Sequence, residues 1–132
     1  EPFVFSDTIF KNVISERKFN KKLFDMCINT SCLNELFKKK RDYLNIKLGS
    51  NAVNLSGGQK QLINVCKTLY QNKQIIIMDE PTSYLSEKLS VKLIENLKKI
   101  KNNKIILVCS HNKNLFKYFD EVIDIKKFSN VR

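Results

Sequence analysis

The sequence predicts an α/β fold in which a helical region precedes a parallel β-sheet. In the region 1–73, apolar residues recur at helical spacing. In the region 74–132, two short apolar runs, QIIIM at 74–78 and KIILVCS at 104–110, have the composition of strands that are buried on both faces. An amphipathic segment separates the two runs, and this β-α-β order predicts parallel strands joined by a right-handed crossover.

Four helical segments are expected in the region 1–73. Ser6 is expected to cap a first helix over 7–14, because a serine before an apolar-periodic segment is a helix start signal. Two further apolar stripes and a loop at 45–54 lead to a helix over 59–70. We expect all four stripes to face the core, and they consist of Ile9, Phe10 and Val13; Leu23, Phe24, Cys27 and Ile28; Cys32, Leu33, Leu36 and Phe37; and Leu62, Ile63, Cys66, Leu69 and Tyr70.

Strand and helix patterns alternate in the region 74–132. An amphipathic helix is expected over 87–100, with Leu89, Leu93, Leu97 and Ile100 on its apolar face. After the second strand, Leu115, Phe116 and Phe119 indicate a short helix, and a last strand is expected over 121–125. In sheets of this kind, ligands bind beyond the carboxyl ends of the strands, so residues at those ends are the first candidates for function.

The composition is that of a globular protein with a basic surface. The chain has 132 residues, of which 42% are hydrophobic, and a net charge of +11 that comes almost wholly from lysine. Arginine favours base readout and bidentate phosphate binding, yet it occurs only at Arg17, Arg41 and Arg132. The lysines are scattered apart from the run at 38–41. We therefore expect a solvated surface rather than a nucleic-acid partner.

The cysteines and the apolar runs indicate in which cellular compartment the protein is expected. None of Cys27, Cys32, Cys66 and Cys109 belongs to a C-x-x-C pair, which favours reduced core cysteines in a cytosolic protein over a zinc site. The longest apolar runs, such as IILVC at 105–109, are far shorter than a membrane-spanning helix. The chain opens EPFVF, which is not the start of a secretory signal. No direct membrane insertion is expected.

Two adjacent carboxylates follow the first predicted strand. Asp79 and Glu80 lie directly after the apolar run, and side chains alternate along a strand, so the two are expected to point differently. One can hold a magnesium ion, which prefers one or two carboxylates with water and substrate phosphates. The other can orient and deprotonate a water molecule. If this Asp-Glu pair stood alone, the default interpretation would be that the two residues merely end a strand at the surface.

His111 is the only histidine of the chain, and it follows the second predicted strand. The carboxyl ends of parallel strands share one edge, so His111 is expected near Asp79 and Glu80. An imidazole at that edge can hydrogen-bond a terminal phosphate or an attacking water. An isolated histidine after a strand is more often structural, but its position relative to the two carboxylates favours a functional role.

Ser56, Gly57 and Gly58 lie where the fourth helix is expected to begin. A helix N-terminus carries unpaired N–H groups and a partial positive charge, and it therefore attracts anions. Adjacent glycines let a ligand approach the backbone closely, so the stretch predicts contact with a polyphosphate. A glycine-rich turn that merely caps a helix is the alternative for these three residues alone.

Three ordered motifs together resemble the nucleotide-binding domain of an exporter-type ABC transporter. They are LSGGQKQ at 55–61, similar to the signature motif; IIIMDEPTS at 75–83, similar to the Walker B strand; and ILVCSH at 106–111, which ends in the family's switch histidine. EPFVFSDTI at 1–9 and IKLGSNAVNLSGG at 46–58 are similar to exporter segments, so the resemblance covers the whole chain.

The resemblance implies a fold, a mechanism and partners. The fold would be a partial P-loop NTPase (RecA-like) core with parallel strands, at 74–132, plus an α-helical signature subdomain, at 1–73. Two such domains would pair head to tail around two ATP molecules. The residues implied are Ser56, Gly57, Gly58 and Gln59 on the ATP of the other subunit; Asp79 on Mg²⁺; Glu80 as general base; and His111 on the γ-phosphate. A transmembrane domain would be the second partner, and this chain would lie on the cytoplasmic side of the membrane.

The chain also departs from the family pattern. It contains no G-x-x-x-x-G-K-[ST] P-loop, which is expected of a C-terminal fragment that begins just after the Q-loop glutamine and is inactive alone. Ser86 replaces the usual aspartate of the D-loop, and Lys47 replaces a glutamate before the signature. Two alternatives stay open: a DNA-associated ABC-type ATPase of the chromosome maintenance or repair class, and a non-catalytic degenerate ABC domain.

Overall fold

Five α-helices and two β-strands make up the framework of the part of the chain that the structure describes. The computed structural model describes residues 3–37, 43–49, 54–102 and 104–125. Within these ranges the elements run α1 (Ile9–Ile14), α2 (Lys21–Thr30), α3 (Leu33–Leu36), α4 (Gly57–Tyr70), β1 (Ile75–Asp79), α5 (Glu87–Lys99) and β2 (Ile105–Cys109), with 3-10 helices at Tyr43–Asn45 and Lys113–Tyr118. The predicted α/β class, with helices before a parallel sheet, is confirmed.

Four of the five described α-helices follow a residue whose side chain accepts a backbone hydrogen bond, and α3, which follows Cys32, is the exception. Thr8 caps α1, and its Oγ1 accepts from the Lys11 N–H at 3.1 Å, so the prediction that Ser6 is the cap was wrong. Thr8 has the extended backbone that a cap requires, and α1 starts immediately after it. At α4, Ser56 is the cap and the helix begins at Gly57, two residues before the predicted start.

Helix α4 lies at the centre of the helical region and packs against α1, α2 and α3. Tyr70, at its last position, is 1% exposed. The Tyr70 hydroxyl accepts from the Asn20 N–H at 2.8 Å and donates to the Lys18 carbonyl at 3.1 Å, which fixes the chain before α2. The predicted core-facing residues of α4 are all buried: Leu62, Ile63, Cys66, Leu69 and Tyr70.

The two strands are parallel neighbours, as predicted. Their register runs from Ile75 beside Ile105 to Asp79 beside Cys109. Helix α5 makes the crossover between them, and its buried Leu93 joins the same hydrophobic core as Ile76 of β1. Because both strands end at the same level, the residues that follow Asp79 and Cys109 meet at one edge of the sheet.

The prediction that both strands are buried on both faces was wrong. Ile76 of β1 is 3% exposed, whereas Ile77 is 65% exposed. On β2, Leu107 is 46% exposed. The pattern follows from strand geometry, because successive side chains point to opposite faces, and the side chains of one face lie in or against the core while those of the other face are exposed.

The last predicted strand, at 121–125, was also wrong. Among the described residues the sheet has two strands, and the segment 121–125 forms no β-ladder. Its Val122, Ile123 and Ile125 side chains are all at least half exposed. A β-branched composition favours a strand, but a strand also needs a neighbour whose backbone groups are in register, and no described residue supplies one here.

Some sequence expectations concern residues outside the described ranges. The basic run at 38–41 and part of the loop at 45–54 are among them. The division into 1–73 and 74–132 remains a prediction, although one hydrophobic core contains buried residues from both regions, such as Leu62 and Leu93.

Candidate active-site edge and the glycine turn

Glu80 has an unusual backbone conformation at the end of β1. Its φ is 45°, in the left-handed region that a residue with a Cβ seldom adopts, at a cost of roughly 1–2 kcal/mol. Several hydrogen bonds hold this conformation. The Glu80 N–H donates to the Cys109 carbonyl at 3.0 Å. The Glu80 carbonyl accepts from Gln61 Nε2 at 3.2 Å and from the Ser83 hydroxyl at 3.0 Å.

The Glu80 carboxylate and His111 contact each other across the sheet edge. Glu80 Oε1 accepts from the His111 backbone N–H at 2.9 Å and lies 2.6 Å from His111 Nδ1. The Glu80 side chain is 29% exposed, whereas that of His111 is 88% exposed. When Nδ1 faces the carboxylate, Nε2 is left to face solvent or a ligand. The structure thus places both predicted catalytic residues together.

Asp79 is the last residue of β1, and its side chain is exposed. No described residue donates a hydrogen bond to its carboxylate, and the described part of the chain holds no cluster of three or more metal-ligating side chains. An open single carboxylate does not make a metal cage. It does fit Mg²⁺, which keeps several waters and uses substrate phosphates as ligands.

Ser56 and Gln59 form a reciprocal capping box at the start of α4. Ser56 Oγ accepts from the Gln59 N–H at 3.2 Å, and Gln59 Oε1 accepts from the Ser56 N–H at 3.0 Å. No described residue accepts from the N–H groups of Gly57 and Gly58. Those two donors, with the proton of the Ser56 hydroxyl, can bind an anion at this helix end.

Packing within the chain also explains why Gly57 and Gly58 lack side chains. A Cβ on Gly57 would lie 2.9 Å from Cδ1 of Tyr84, and a Cβ on Gly58 would lie 2.8 Å from the Tyr84 carbonyl oxygen. Tyr84 belongs to the β1–α5 loop, residues 80–86, which begins with Glu80. The sequence alone attributed the glycines to an approaching phosphate, whereas the structure shows that the β1–α5 loop already comes this close.

Gln61 and Tyr84 were missed by the sequence analysis. Gln61 is only 8% exposed and lies one turn before the buried Val65, so a glutamine on the apolar face of α4 was an available signal. Tyr84 offered no comparable signal, because its contact depends on how the β1–α5 loop folds back over α4.

Three of the four cysteines lie in the core. Burial raises the pKa of the Cys27 thiol from 9.0 to about 12, and burial also raises the pKa values of Cys32 and Cys66. Cys109 is exposed, so the expectation that it is a core residue was wrong. Cys109 falls on the uncovered face of β2, which explains the difference.

Comparison with known proteins identifies the family. A family model described as ABC transporter matches residues 4–83, more than half of the chain. The chain belongs to the ABC transporter family. This match includes the glycine turn, Asp79 and Glu80, and it confirms the resemblance that the motifs indicated.

Relatives of this ABC transporter chain include exporters. An export ATP-binding/permease protein of Rickettsia typhi is 33% identical over 128 residues, which are 96% of this chain and 22% of that protein. An ABC transporter ATP-binding protein of Mesomycoplasma hyorhinis is 34% identical over 123 residues, which are 89% of this chain and 49% of that protein. The chain therefore spans about a fifth to a half of the length of these relatives.

A solved structure has the same fold. It is a bacterial Atm1-family ABC exporter with ATP bound, which superimposes with a TM-score of 0.78 at 20% sequence identity over 86% of this chain and 20% of the exporter chain. This likeness confirms the expected partial P-loop NTPase fold. No helix of the described residues has the length and apolar character needed to cross a membrane.

Proposed function

We propose that this chain is part of an ATP-hydrolysing domain that powers export of a substrate across a membrane. The observation that carries the proposal is the contact of Glu80 with His111 beside Asp79, in a chain of the ABC transporter family. The arrangement combines a candidate general base, a candidate phosphate ligand and a candidate metal ligand at one sheet edge.

Glu80 is proposed as the general base. His111 and its backbone N–H engage Oε1, and no described residue bonds to Oε2, so this oxygen can accept the proton of an attacking water. The water oxygen then bonds to the γ-phosphorus while the bond from that phosphorus to the bridging oxygen breaks. Positioning and charge stabilisation dominate catalysis of such phosphoryl transfers.

Asp79 is proposed to help hold Mg²⁺, which would neutralise charge on the phosphate oxygens when bound. His111 is proposed to contact the γ-phosphate through Nε2. The exposure of its ring is consistent with a role in which a ligand completes its surroundings. Each of Asp79, Glu80 and His111 thus has its own proposed role at this edge of the sheet.

The glycine turn is proposed to bind ATP that is held mainly by another subunit. Gly57 and Gly58 would donate their backbone N–H groups to the terminal phosphate, and the Ser56 hydroxyl would add a third donor. Gln59 would fix the turn through the capping box. ATP-driven dimerisation then brings the turn of one subunit to the nucleotide of the other.

The proposed partners are a second nucleotide-binding domain and a transmembrane domain, and this chain is proposed to lie at the cytoplasmic side of the membrane. The Rickettsia typhi relative is named as a combined ATP-binding and permease protein, which supports this assignment. The sequence contains no P-loop motif, so we infer that these 132 residues alone do not hydrolyse ATP. Measured turnover by the isolated chain would contradict that inference.

Ser86 does not by itself argue for a degenerate domain. Its side chain accepts from the Leu89 N–H at 3.4 Å and caps α5. Serine and aspartate are comparably good caps, so the exchange retains the start of α5. The contact of Glu80 with His111 leads us to favour the catalytic function over a non-catalytic one.

The decisive variant is Glu80→Gln in the full-length transporter. We expect steady-state ATP turnover to fall at least 100-fold, because general base catalysis typically contributes about 10²–10⁴-fold. ATP-dependent dimerisation, followed by size-exclusion chromatography or cross-linking, is expected to persist. Glu87→Gln, an exposed carboxylate in the first turn of α5, is the matched control and should stay within about twofold of wild type. Unchanged turnover in Glu80→Gln would refute the assignment.

A further inference from the structure

Helix α4 contacts the β1–α5 loop at two points. At its tip, Gly57 and Gly58 pack against Tyr84 of that loop. One turn further along, Gln61 Nε2 donates to the Glu80 carbonyl at 3.2 Å. The helix that begins with the glycine turn is therefore bonded directly to the backbone of the proposed general base.

We propose that Gln61 is a positioning residue for Glu80. The proposal rests on the proposed function, since it concerns the residue that holds the base in place. The Gln61 side chain lines an open cleft beside Asp79 and Glu80, and it donates a hydrogen bond to the Glu80 backbone carbonyl. It fixes the peptide unit from which the carboxylate projects toward His111.

The backbone of Glu80 needs such support. Its φ of 45° is a strained conformation for a glutamate, so relaxation toward the ordinary regions is favourable whenever the restraints weaken. Ser83 donates to the same carbonyl through its N–H at 3.2 Å and its hydroxyl at 3.0 Å. Both Ser83 bonds lie within the β1–α5 loop and move with it. Among the bonds to the Glu80 carbonyl, Gln61 supplies the one that comes from outside the loop.

The burial of Gln61 strengthens the effect of its hydrogen bond to the Glu80 carbonyl. With 8% of its surface exposed, Gln61 has little access to water that could replace its bond to the Glu80 carbonyl. The close approach of Gly58 to the Tyr84 carbonyl holds the loop near α4 at a second point. Displacement of the loop would therefore displace the Glu80 carboxylate, and small misplacements of a catalytic group lower rates strongly.

The test is Gln61→Met in the full-length transporter. Methionine is unbranched, similar in volume and a good helix former, so it removes the hydrogen bond while retaining the packing. We expect kcat for ATP hydrolysis to fall by about tenfold or more, with KM for ATP changed less than about twofold. Gln71→Met, at the residue that caps the other end of α4, is the matched control, because the Gln71 side chain accepts a hydrogen bond from Arg17 Nε rather than bonding to the loop. Both kinetic constants of this variant should stay within about twofold of wild type.

A second measurement separates positioning from a general structural role. In the Glu80→Gln background, Gln61→Met is expected to cause no further fall in the single-turnover rate, because Gln61 acts through the carboxylate that is already absent. A wild-type kcat in Gln61→Met would overturn the proposal. A rate loss that multiplies with that of Glu80→Gln would overturn it as well, since Gln61 would then act on something other than Glu80.

Failure of the two proposals can be distinguished. If the wild-type transporter does not hydrolyse ATP, or Glu80→Gln is fully active, the proposed function fails. If both behave as expected while Gln61→Met matches the Gln71→Met control, only the positioning role fails.

Discussion

Substituting each glycine of the turn by alanine separates packing within the chain from contact with a ligand. In the protein without nucleotide, Gly58→Ala is expected to be destabilising and Gly57→Ala nearly neutral. The difference follows from what each new methyl group meets. At Gly58 it meets the Tyr84 carbonyl oxygen at 2.8 Å, and at Gly57 it meets a carbon of the Tyr84 ring at 2.9 Å.

The magnitudes follow from these contacts. Even a weak C–H···O contact keeps carbon and oxygen about 3.3 Å apart, so Gly58→Ala requires the loop to move by about 0.5 Å. Overpacking of this kind costs about 1–3 kcal/mol, while alanine in a helix regains up to about 1 kcal/mol relative to glycine. We expect a net loss of about 1–2 kcal/mol at Gly58. The Tyr84 ring is 54% exposed and can rotate away, so the net change at Gly57 should be within about 0.5 kcal/mol of zero.

The assay is equilibrium unfolding by denaturant, followed by circular dichroism without nucleotide. Tyr84→Ala supplies the control background, because it removes the ring but leaves the carbonyl. In that background Gly57→Ala should become stabilising, and Gly58→Ala should keep its full cost. Equal effects of the two glycine substitutions, or rescue of Gly58→Ala by Tyr84→Ala, would refute the packing explanation.

Two further predictions concern the core. Burial raises the pKa of the Cys27 thiol from its ordinary value of 9.0 to about 12. The thiol therefore ionises at a lower pH in the unfolded chain than in the folded chain, and its contribution to the free energy of unfolding is fully present below pH 9 and is lost as the pH rises toward 12. We expect ionisation of Cys27 to lower the free energy of unfolding by about 1.4 kcal/mol between pH 8 and pH 10. In Cys27→Ala the fall in the free energy of unfolding over this range should be smaller by that amount, and an unchanged fall would contradict this. Tyr70→Phe should destabilise the fold by about 1–3 kcal/mol, because it removes the two hydrogen bonds that join the Tyr70 hydroxyl to the Asn20 N–H and the Lys18 carbonyl; a denaturation midpoint equal to that of wild type would contradict this.

Local patterns were sufficient to predict the elements but not what surrounds them. The apolar spacing of α4 and α5 and the composition of β1 and β2 gave their types correctly, because each pattern repeats over several turns or residues. The exposure of Ile77 and the absence of a strand at 121–125 depend on neighbouring elements. Composition cannot report whether a neighbour is present.

For the candidate site, too, some residues could be predicted from the sequence and others could not. Asp79, Glu80 and His111 were predicted to meet because parallel strands end at one edge, and the structure brings Glu80 and His111 into contact. Gln61 and Tyr84 were missed. Their contacts join segments about 20 residues or more apart along the chain, and these contacts form only when α4 and the β1–α5 loop pack together.

The most direct test is a structure of the full-length Glu80→Gln transporter with ATP and Mg²⁺. We expect the Ser56 hydroxyl and the N–H groups of Gly57 and Gly58 to lie within hydrogen-bonding distance of a γ-phosphate whose other contacts come mainly from a second subunit. A glycine turn that faces solvent, or a nucleotide bound to the turn within a single subunit, would contradict the proposed mechanism.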